Sequence, residues 1–259
     1  MKGSSERLGT AVSTVRSSGG IEQVFSGGLA SGTIISTGGA LFVQSGGTGS
    51  AAVVRGGYME AQSGATASGT VVSSGEFDIL AGGSASNTIV SGGADSGTSV
   101  LNGGFEFVFG TAIGDTVNSG GTERVFGGAH LSGATLNGGF LELLNGDTAG
   151  TSQINFTSNG GTLQLDTSVN FHGTISGFGV PGGIDLRDIS FASSSFSLGY
   201  SGDTSSGILT VTDGTNTAQL HLLGQYVAGN FHAQADGNGG TLITDPPVVG
   251  QYSLYNPHT

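Results

Sequence analysis

The sequence predicts an all-β protein, a parallel β-solenoid (β-helix) of about 18-residue coils that ends in a β-rich C-terminal cap. The first observation is composition: glycine provides 52 of the 259 residues, about a fifth, where about 7% is usual. The second is a rhythm, because glycine pairs recur at alternating short and long spacings over the first half of the chain. The third is a set of fixed apolar positions between those pairs.

The short segments, such as IEQVFSGG and ALFVQSGG, predict half-buried strands. Four positions after the glycine pair every short segment carries an apolar residue, whereas the residue just before it is mixed in character. One constant apolar place beside one variable place is the alternation of a strand with one face in the core. The constant places are Val24, Val43, Ala61, Ile79, Val108, Val125 and Leu143.

The long segments, such as LASGTIISTGG, carry β-branched residues at a matching place, which suits a pleated surface. Glycine pairs supply the positive φ that sharp corners demand. A strand, a corner, a second strand and another corner then make one coil, and stacked coils pair strands about 4.8 Å apart. The rhythm slips once, after Gly93, where two long segments follow each other. The β-branched places are Ile35, Val53, Val71, Ile89, Val100 and Val117, and a stack of side-chain amides is expected at Asn102, Asn137 and Asn159.

Four regions are expected along the chain. Residues 1–16 form an N-terminal lead-in to the solenoid, and residues 17–161 form the solenoid repeats. Residues 162–245 form a β-rich C-terminal continuation and cap, and residues 246–259 form a flexible tail. The run ILTVTDGTNTAQLHLL places an Asp-Gly turn signal between alternating strands, which predicts a β-hairpin. A cap is expected because the last coil of a solenoid otherwise exposes an unpaired edge.

Charge and composition exclude several classes of function. Six basic and 18 acidic residues give a net charge of −12, which opposes binding to nucleic acid and to anionic membranes. Cysteine is absent, so disulfides and thiolate metal sites are excluded. The sequence contains no run of 18 apolar residues of the kind that predicts a membrane-spanning helix. The N-terminal stretch MKGSSERLGTAV lacks the apolar core of a usual secretory signal.

Three glutamates invite two interpretations. Glu22, Glu106 and Glu123 each lie two places after a glycine pair, and the repeat stacks the latter two on neighbouring coils. Paired carboxylates perform acid/base chemistry on sugars, which would make this surface a polysaccharide-cleaving site. The simpler interpretation is a solvated acidic stripe, and the sequence favours that one.

Other chemistry-bearing residues show no site-forming pattern, so the sequence predicts no catalytic residue, no cofactor and no metal site. Acidic and amide side chains near the C-terminus are able to ligate calcium, but the calcium-binding nonapeptide does not occur and such residues are typical of turns. The histidines lack metal-ligand spacing. The acidic and amide residues are Asp185, Asp188, Asp236 and Asn238; the histidines are His130, His172, His221, His232 and His258.

Aromatic side chains are the better candidates for contacts with a partner. Phe42, Tyr58 and Phe107 fall at outward or corner positions of the predicted coils. Aromatic faces stack on sugars or pack into protein surfaces, although phenylalanine is equally suited to a core.

The repeated sequence pattern resembles that of a known family. GGLASGTIISTGG and SSGGIEQVFSGG are similar to the strand-loop-strand repeats of bacterial autotransporter passengers of the type involved in diffuse adherence, over residues 17–161. IDLRDISF, LTVTDGTNTAQLHLLGQY and FHAQADGNGGTLITD resemble C-terminal modules of large secreted repeat adhesins of Gram-negative bacteria. The chain departs from autotransporters in that residues 162–259 lack the strand lengths and aromatic girdles of a transport barrel.

The resemblance implies a secreted or cell-surface adhesin-like module, with no enzymatic activity, acting in cell adhesion or biofilms. Its expected partners are cell-surface glycans or proteins, or further copies of itself, with neither nucleic acid nor membrane insertion. Two alternatives stay open: a β-helix lyase or hydrolase acting on extracellular polysaccharide, and an effector delivered into a host cell.

Overall fold

The computed structural model describes residues 4–7, 9–79, 83–144 and 152–245, which form a parallel β-solenoid of about nine turns with a coil spacing of about 19 residues. The predicted fold class is confirmed. Each turn contains three short strands where the sequence suggested two, because each long segment bends in its middle. In the segment from residue 29, Gly32 with a φ of 66° separates Leu29–Ser31 from Ile34–Ser36.

The strands stack in three columns, here named faces A, B and C. Face A contains Ser4–Arg7, Ile21–Val24, Ala40–Val43 and Ala94–Ser96. Face B contains Thr10–Val12, Leu29–Ser31, Thr48–Ser50, Thr66–Ser68, Ser84–Ser86, Ser99–Val100, Gln153–Phe156 and Thr174–Ser176. Face C contains Val15–Arg16, Ile34–Ser36, Thr88–Val90, Phe105–Val108, Thr122–Val125, Phe140–Leu143, Thr162–Leu165 and Gly183–Leu186.

Four longer strands turn a corner and belong to two faces. Val53–Ala61 and Val71–Ile79 run from face C to face A, and Thr111–Asn118 and His130–Asn137 run from face A to face B. The strands of successive coils in the described solenoid pair in parallel, so equivalent side chains stack above one another.

The slip in rhythm after Gly93 moves the short segments from one face to another. Before it they lie on face A, as Ala40–Val43 does; after it Phe105–Val108 pairs with Thr88–Val90 on face C. The extra long segment causes this shift, because its strands Ala94–Ser96 and Ser99–Val100 occupy faces A and B of that coil.

The apolar places of the short segments all face the interior, as predicted, and Val24, Val43 and Ala61 are fully buried. The long segments were predicted one residue out of register in three cases. Val53, Val71 and Ile89 face outward, and their neighbours Val54, Val72 and Val90 are buried.

Register within the long segments depends on the residue that bends them. In each case the inward residue is the third after a residue with positive φ. That residue is glycine in four of these six segments and Ala51 or Asn87 in the other two, so glycine positions alone do not mark every bend. The pairs of bending and inward residues are Gly32 and Ile35, Ala51 and Val54, Gly69 and Val72, Asn87 and Val90, Gly97 and Val100, Gly114 and Val117.

The described ends of the stack extend beyond the repeats seen in the sequence. Within the expected lead-in of residues 1–16, the strands Ser4–Arg7, Thr10–Val12 and Val15–Arg16 lie on faces A, B and C and pair with the next coil. Toward the C-terminus Thr217–Leu223 pairs in parallel with face B, and Thr241–Thr244 pairs antiparallel with face C. The remaining elements are Ser197–Gly202, Ser206–Thr212 and His232–Ala235, with 3₁₀ turns at Ser168–Asn170 and Ala228–Asn230.

The expected hairpin is present, because Ser206–Thr212 and Thr217–Leu223 are antiparallel neighbours around the Asp-Gly turn. The expected tail, residues 246–259, lies outside the described residues. Within the described part of the chain no helix is long and apolar enough to span a membrane.

Candidate binding surface and interior carboxylates

Two of the three predicted contact residues lie together on face A. Phe42 and Tyr58 occupy successive coils with ring centroids 5.8 Å apart. The Tyr58 hydroxyl donates to Oε2 of Glu60 and to Oδ2 of Asp78, each at 2.9 Å. Burial, and then these two hydrogen bonds, raise the pKa of Tyr58 above its ordinary value, so its ring is held as a neutral donor.

Phe107 lies on face C, away from that pair, in a group of four aromatic rings. Its ring stacks on Phe105 at 4.9 Å and meets Phe126 of the next coil edge-on at 6.2 Å; Phe109 stacks on Phe126 at 4.1 Å. Phe105 and Phe109 are 37% and 48% exposed. We call Phe105, Phe107, Phe109 and Phe126 the phenylalanine patch.

Two further exposed apolar residues lie close to this patch in the sequence, and one of them, Ile113, is on face A. Leu101 and Ile113, which flank it in the chain, are 41% and 43% exposed. Four of the ten large exposed apolar residues in the described structure therefore fall within residues 101–113. The ring contacts make the phenylalanine patch itself a contiguous apolar surface, and such surfaces mark interaction sites more often than scattered single residues do.

The interior of the same coils is acidic. Asp95 points inward from face A, Glu106 from face C and Asp115 from the start of face B, and all three are fully buried. One carboxylate oxygen of each lies within 4.8 Å of the others. Glu123, directly beside Glu106 on the next coil, is also fully buried. Between residues 95 and 126 the solenoid is thus inverted, with carboxylates inside and phenylalanines outside.

These four carboxylates have few hydrogen-bond donors. The Thr98 hydroxyl donates to Oδ2 of Asp95, and the Thr98 backbone N–H donates to Oδ1 of Asp115 at 2.9 Å. The other oxygen of each aspartate and both oxygens of Glu106 and Glu123 are buried without a donor. Unpaired buried carboxylates are strongly destabilising unless they are protonated or bind a cation.

The electrostatics follow from this confinement. Burial raises the pKa of Glu106 well above its ordinary range, and the charges of Asp95, Asp115 and Glu123 raise it further. Burial and the Asp95 charge raise the pKa of Glu123 to about 8. The pKa values of Asp95 and Asp115 are raised too, first by burial. Near neutral pH the cluster therefore favours protons or a cation as a counter-charge.

The sequence expectations for the glutamates are corrected in one respect. Glu106 and Glu123 do stack on neighbouring coils, but the solvated-stripe interpretation is wrong, because both are fully buried. Glu22 is also fully buried, and its Oε2 accepts from the Thr14 hydroxyl at 2.7 Å and from Arg16 Nε at 3.2 Å.

The acidic residues near the C-terminus act within the protein. Oδ1 of Asp236 accepts the N–H groups of Asn238 and Gly240, while Oδ2 pairs with Arg187 at 2.7 Å. Oδ1 of Asp188 accepts the Ser168 hydroxyl at 2.6 Å. Asp236 with Asn238 thus forms a turn, as its residue types suggested.

Among the described residues, Asp95, Glu106 and Asp115 are the one set of three or more acidic, histidine or cysteine side chains close enough to share a metal ion. The sequence prediction of no metal site did not weigh Asp95 or Asp115. Asp115 comes directly after the bending residue Gly114, a place whose side chain points inward. Asp95 stacks on the buried Phe77, so it also lies in an inward column. The signal available was a carboxylate at an inward place, in the column that Leu41, Met59 and Phe77 occupy in earlier coils and that begins with the buried Glu22.

Fold and site together define a repeat-built β-solenoid with one inverted segment. A scan of family models finds no match to this chain, and no curated protein matches it. Among solved structures it is similar to the crystal structure of a fragment of TibA hyperglycosylated by TibC. The identity is 28%, the match covers 64% of this chain and 77% of that chain, and the TM-score is 0.34.

Proposed function

We propose that this chain is a non-enzymatic, adhesin-like β-solenoid, secreted or displayed on a cell surface, that binds neutral glycans through the phenylalanine patch. The observation that carries the proposal is the outward stacking of four phenylalanine rings on two rigidly paired coils. Flat apolar rings held at fixed spacing complement the C–H faces of sugar rings, and exposed aromatic clusters are retained where they bind something.

Charge favours a neutral ligand over an anionic one. The net charge of −12 repels anionic polymers and also opposes association with a second copy of the chain. The cation nearest to the patch, Arg124, already pairs with Glu142 at 2.7 Å between Nε and Oε2. A neutral glycan meets neither obstacle.

Phe42 and Tyr58 supply a second, smaller contact area on face A. A shallow groove lined by Gly39, Gly57 and Gly75 lies beside Tyr58. A Cβ at any of these glycines would meet an atom of the preceding coil at 2.3–2.5 Å, so the close stacking of the coils keeps this corner free of side chains. Two weak areas on one rigid rod gain affinity through effective concentration when the ligand is polymeric.

The burial of the two best candidate catalytic residues counts against the enzymatic alternative. Glu106 and Glu123 are sealed inside the solenoid, so a polysaccharide cannot approach them. Acid/base catalysis requires the carboxyl groups to reach the scissile bond.

Binding is tested with a panel of neutral and anionic polysaccharides in a co-sedimentation assay, with released reducing ends and unsaturated products measured in the same samples. The wild-type chain is expected to sediment with a neutral polysaccharide and to release nothing. The double variant F105S/F109S is expected to bind at least about tenfold more weakly, because it loses the two exposed rings.

Phe191 provides the matched control, since it has the same residue type and the same 37% exposure as Phe105 but lies in the C-terminal part. F191S should bind like wild type. Equal losses in F105S/F109S and F191S would overturn the assignment of the patch. Product release would restore the enzymatic alternative, and sedimentation that reflects self-association alone would replace the glycan with a second copy.

A further inference from the structure

We propose that Asp95, Glu106 and Asp115 bind one calcium ion inside the solenoid. Each carboxylate comes from a different face, so the three converge on the axis of the coil from three directions. One oxygen of each lies within 4.8 Å of the others. Oxygens that share a calcium ion at about 2.3–2.6 Å lie up to about 5 Å apart, so a single ion reaches all three.

Buried oxygens without donors point to a missing cation. Both oxygens of Glu106 and one each of Asp95 and Asp115 lack a hydrogen-bond donor although the residues are fully buried. Glu123 lies outside the three-residue set, yet it is fully buried beside Glu106 and both its oxygens are also unpaired. Ionised carboxylates donate no hydrogen bonds, so the four satisfy one another only where a proton or a cation supplies the counter-charge. Asp95 and Glu106 are close enough to share a hydrogen bond when one of them is protonated.

Glu22 shows that a buried glutamate of this fold is able to receive hydrogen bonds from neighbouring side chains. Glu22 is equally buried, yet one of its oxygens accepts from Thr14 and Arg16 and lies 3.4 Å from the Thr33 hydroxyl. Side chains of the chain itself thus supply the donors for Oε2 of Glu22, while its Oε1 has none. At residues 95–123 only Thr98 does so, and for two of the eight oxygens.

The residues that follow the cluster in the stack are small, whereas Phe77 stacks on Asp95 from the preceding coil. The residue stacked on Asp95 in the next coil is Ala112, and the residue stacked on Asp115 is Ala134. Elsewhere on face A this inward column holds Leu41, Met59 and Phe77.

Calcium fits this interior better than magnesium does. Carboxylate oxygens are hard ligands, which suit both ions. Magnesium demands near-ideal octahedral geometry and keeps several of its waters, whereas calcium accepts irregular sets of oxygens. The four carboxylates are fully buried between stacked strands, which disfavours an ion that keeps its hydration waters.

Glu106 also connects the proposed ion to the outer surface. It lies between Phe105 and Phe107 in one strand, so alternation sends the glutamate inward and the two rings outward. Calcium content is measured on the protein alone, and its outcome is therefore distinguishable from that of the glycan-binding test.

The experiment refolds the full chain, because an ion in a closed interior enters during folding. Protein unfolded in guanidinium chloride with EDTA is refolded in millimolar calcium chloride, in millimolar magnesium chloride, or in EDTA, and is then passed through a desalting column. Metal content is measured by mass spectrometry, and the Tm by circular dichroism. We expect one calcium per chain and a Tm at least about 5 °C above that in EDTA, with no such effect of magnesium.

Two variants identify the ligands, and a third is the control. E106Q and D115N keep the shape of the side chain, and D115N retains an oxygen for the Thr98 N–H; both should lose the bound calcium and the calcium-dependent rise in Tm. E22Q changes an equally buried glutamate and should keep both. If one ligand variant fails to fold, the other decides.

The proposal is overturned if the refolded wild-type chain carries no calcium and melts at one temperature in all three buffers. It is also overturned if the folded ligand variants retain calcium as E22Q does, or if magnesium binds and stabilises as well as calcium.

Discussion

Residues with positive φ decide which side chains of each coil reach the core. Ala51 and Asn87 adopt φ values of 52° and 58° at places where other coils use glycine. Asparagine tolerates this conformation, whereas alanine adopts it at a cost of about 1 kcal/mol. The bend is thus imposed by stacking on the neighbouring coils and not by residue type alone, since each strand between two coils is paired on both sides.

Asp185 is expected to make the stability of the protein depend on pH. Burial, and then the charge of Asp236, raise its pKa to about 6, although Arg187 opposes this; Asp166 raises it slightly. Its unfolded pKa is about 3.9, so the favourable contribution is complete below about pH 4 and is lost as the pH rises through about 6. D185N should therefore be more stable than wild type by about 1 kcal/mol at pH 8, after discounting for partial exposure, and equal to it near pH 4.

Urea unfolding of wild type and D185N at several pH values measures this difference. Asp203 is the control of opposite sign, because hydrogen bonds from the Ser205 hydroxyl and from the Ser205 and Ser206 N–H groups lower its pKa. D203N should lose stability relative to wild type as the pH rises above the range in which Asp203 ionises. A D185N difference that does not change with pH would contradict the prediction.

At the scale of strands and corners, an amide ladder joins successive coils. Asn137 Nδ2 donates to Asn118 Oδ1, and Asn159 Nδ2 donates to Asn137 Oδ1, each at 2.8 Å. The Thr157 hydroxyl also donates to Asn137 Oδ1 at 2.8 Å. The sequence predicted Asn137 and Asn159 in such a ladder, but its third member is Asn118 and not Asn102.

Asn137 is expected to be the most sensitive member of this ladder. N137A removes an acceptor shared by two donors as well as the donor to Asn118, and should lower the free energy of unfolding by about 1–2 kcal/mol. N159A, at the end of the ladder, should cost less than half as much. Denaturant midpoints of both variants test this order, and equal losses would show that the ladder does not act as a chain.

At the scale of the whole molecule, the repeat behaves as a stack in which each coil contacts only its neighbours. Ala40 pairs with both Ile21 and Tyr58, so residues 40–57 are one complete coil. Deletion of that coil would place Tyr58 directly after Gly39 and restore stacking on Ile21, with Met59 taking the inward place of Leu41.

The 40–57 deletion is therefore expected to fold cooperatively with a Tm within about 10 °C of wild type, because stability in such stacks is approximately a sum of coil and interface contributions. Thermal unfolding followed by circular dichroism measures this. Deletion of residues 40–48 is the control, since it removes half a coil and turns inward side chains away from the core. Equal behaviour of the two deletions would contradict the stacked-coil description.

The sequence by itself determined the architecture. Fixed apolar places between glycine pairs, such as Val24 and Val43, required a strand with one buried face, and the period of the pairs required coils. Such local signals suffice because a solenoid is built from contacts between consecutive repeats, which reappear in the sequence as a period. Two members of the amide ladder followed for the same reason, and the hairpin followed from its Asp-Gly turn signal.

Only the tertiary structure decided which segments form each face and which of their side chains point inward. The number of strands per coil, the exchange of short segments from face A to face C after Gly93, and the inward turn of Glu106 and Glu123 all depend on which strands stack. Asp95, Glu106 and Asp115 lie close together because the three faces of the coil converge on one axis. In the chain, Glu106 is 11 positions after Asp95 and 9 positions before Asp115. Periodicity shows which residues share a column, but the closure of the coil determines which columns face one another.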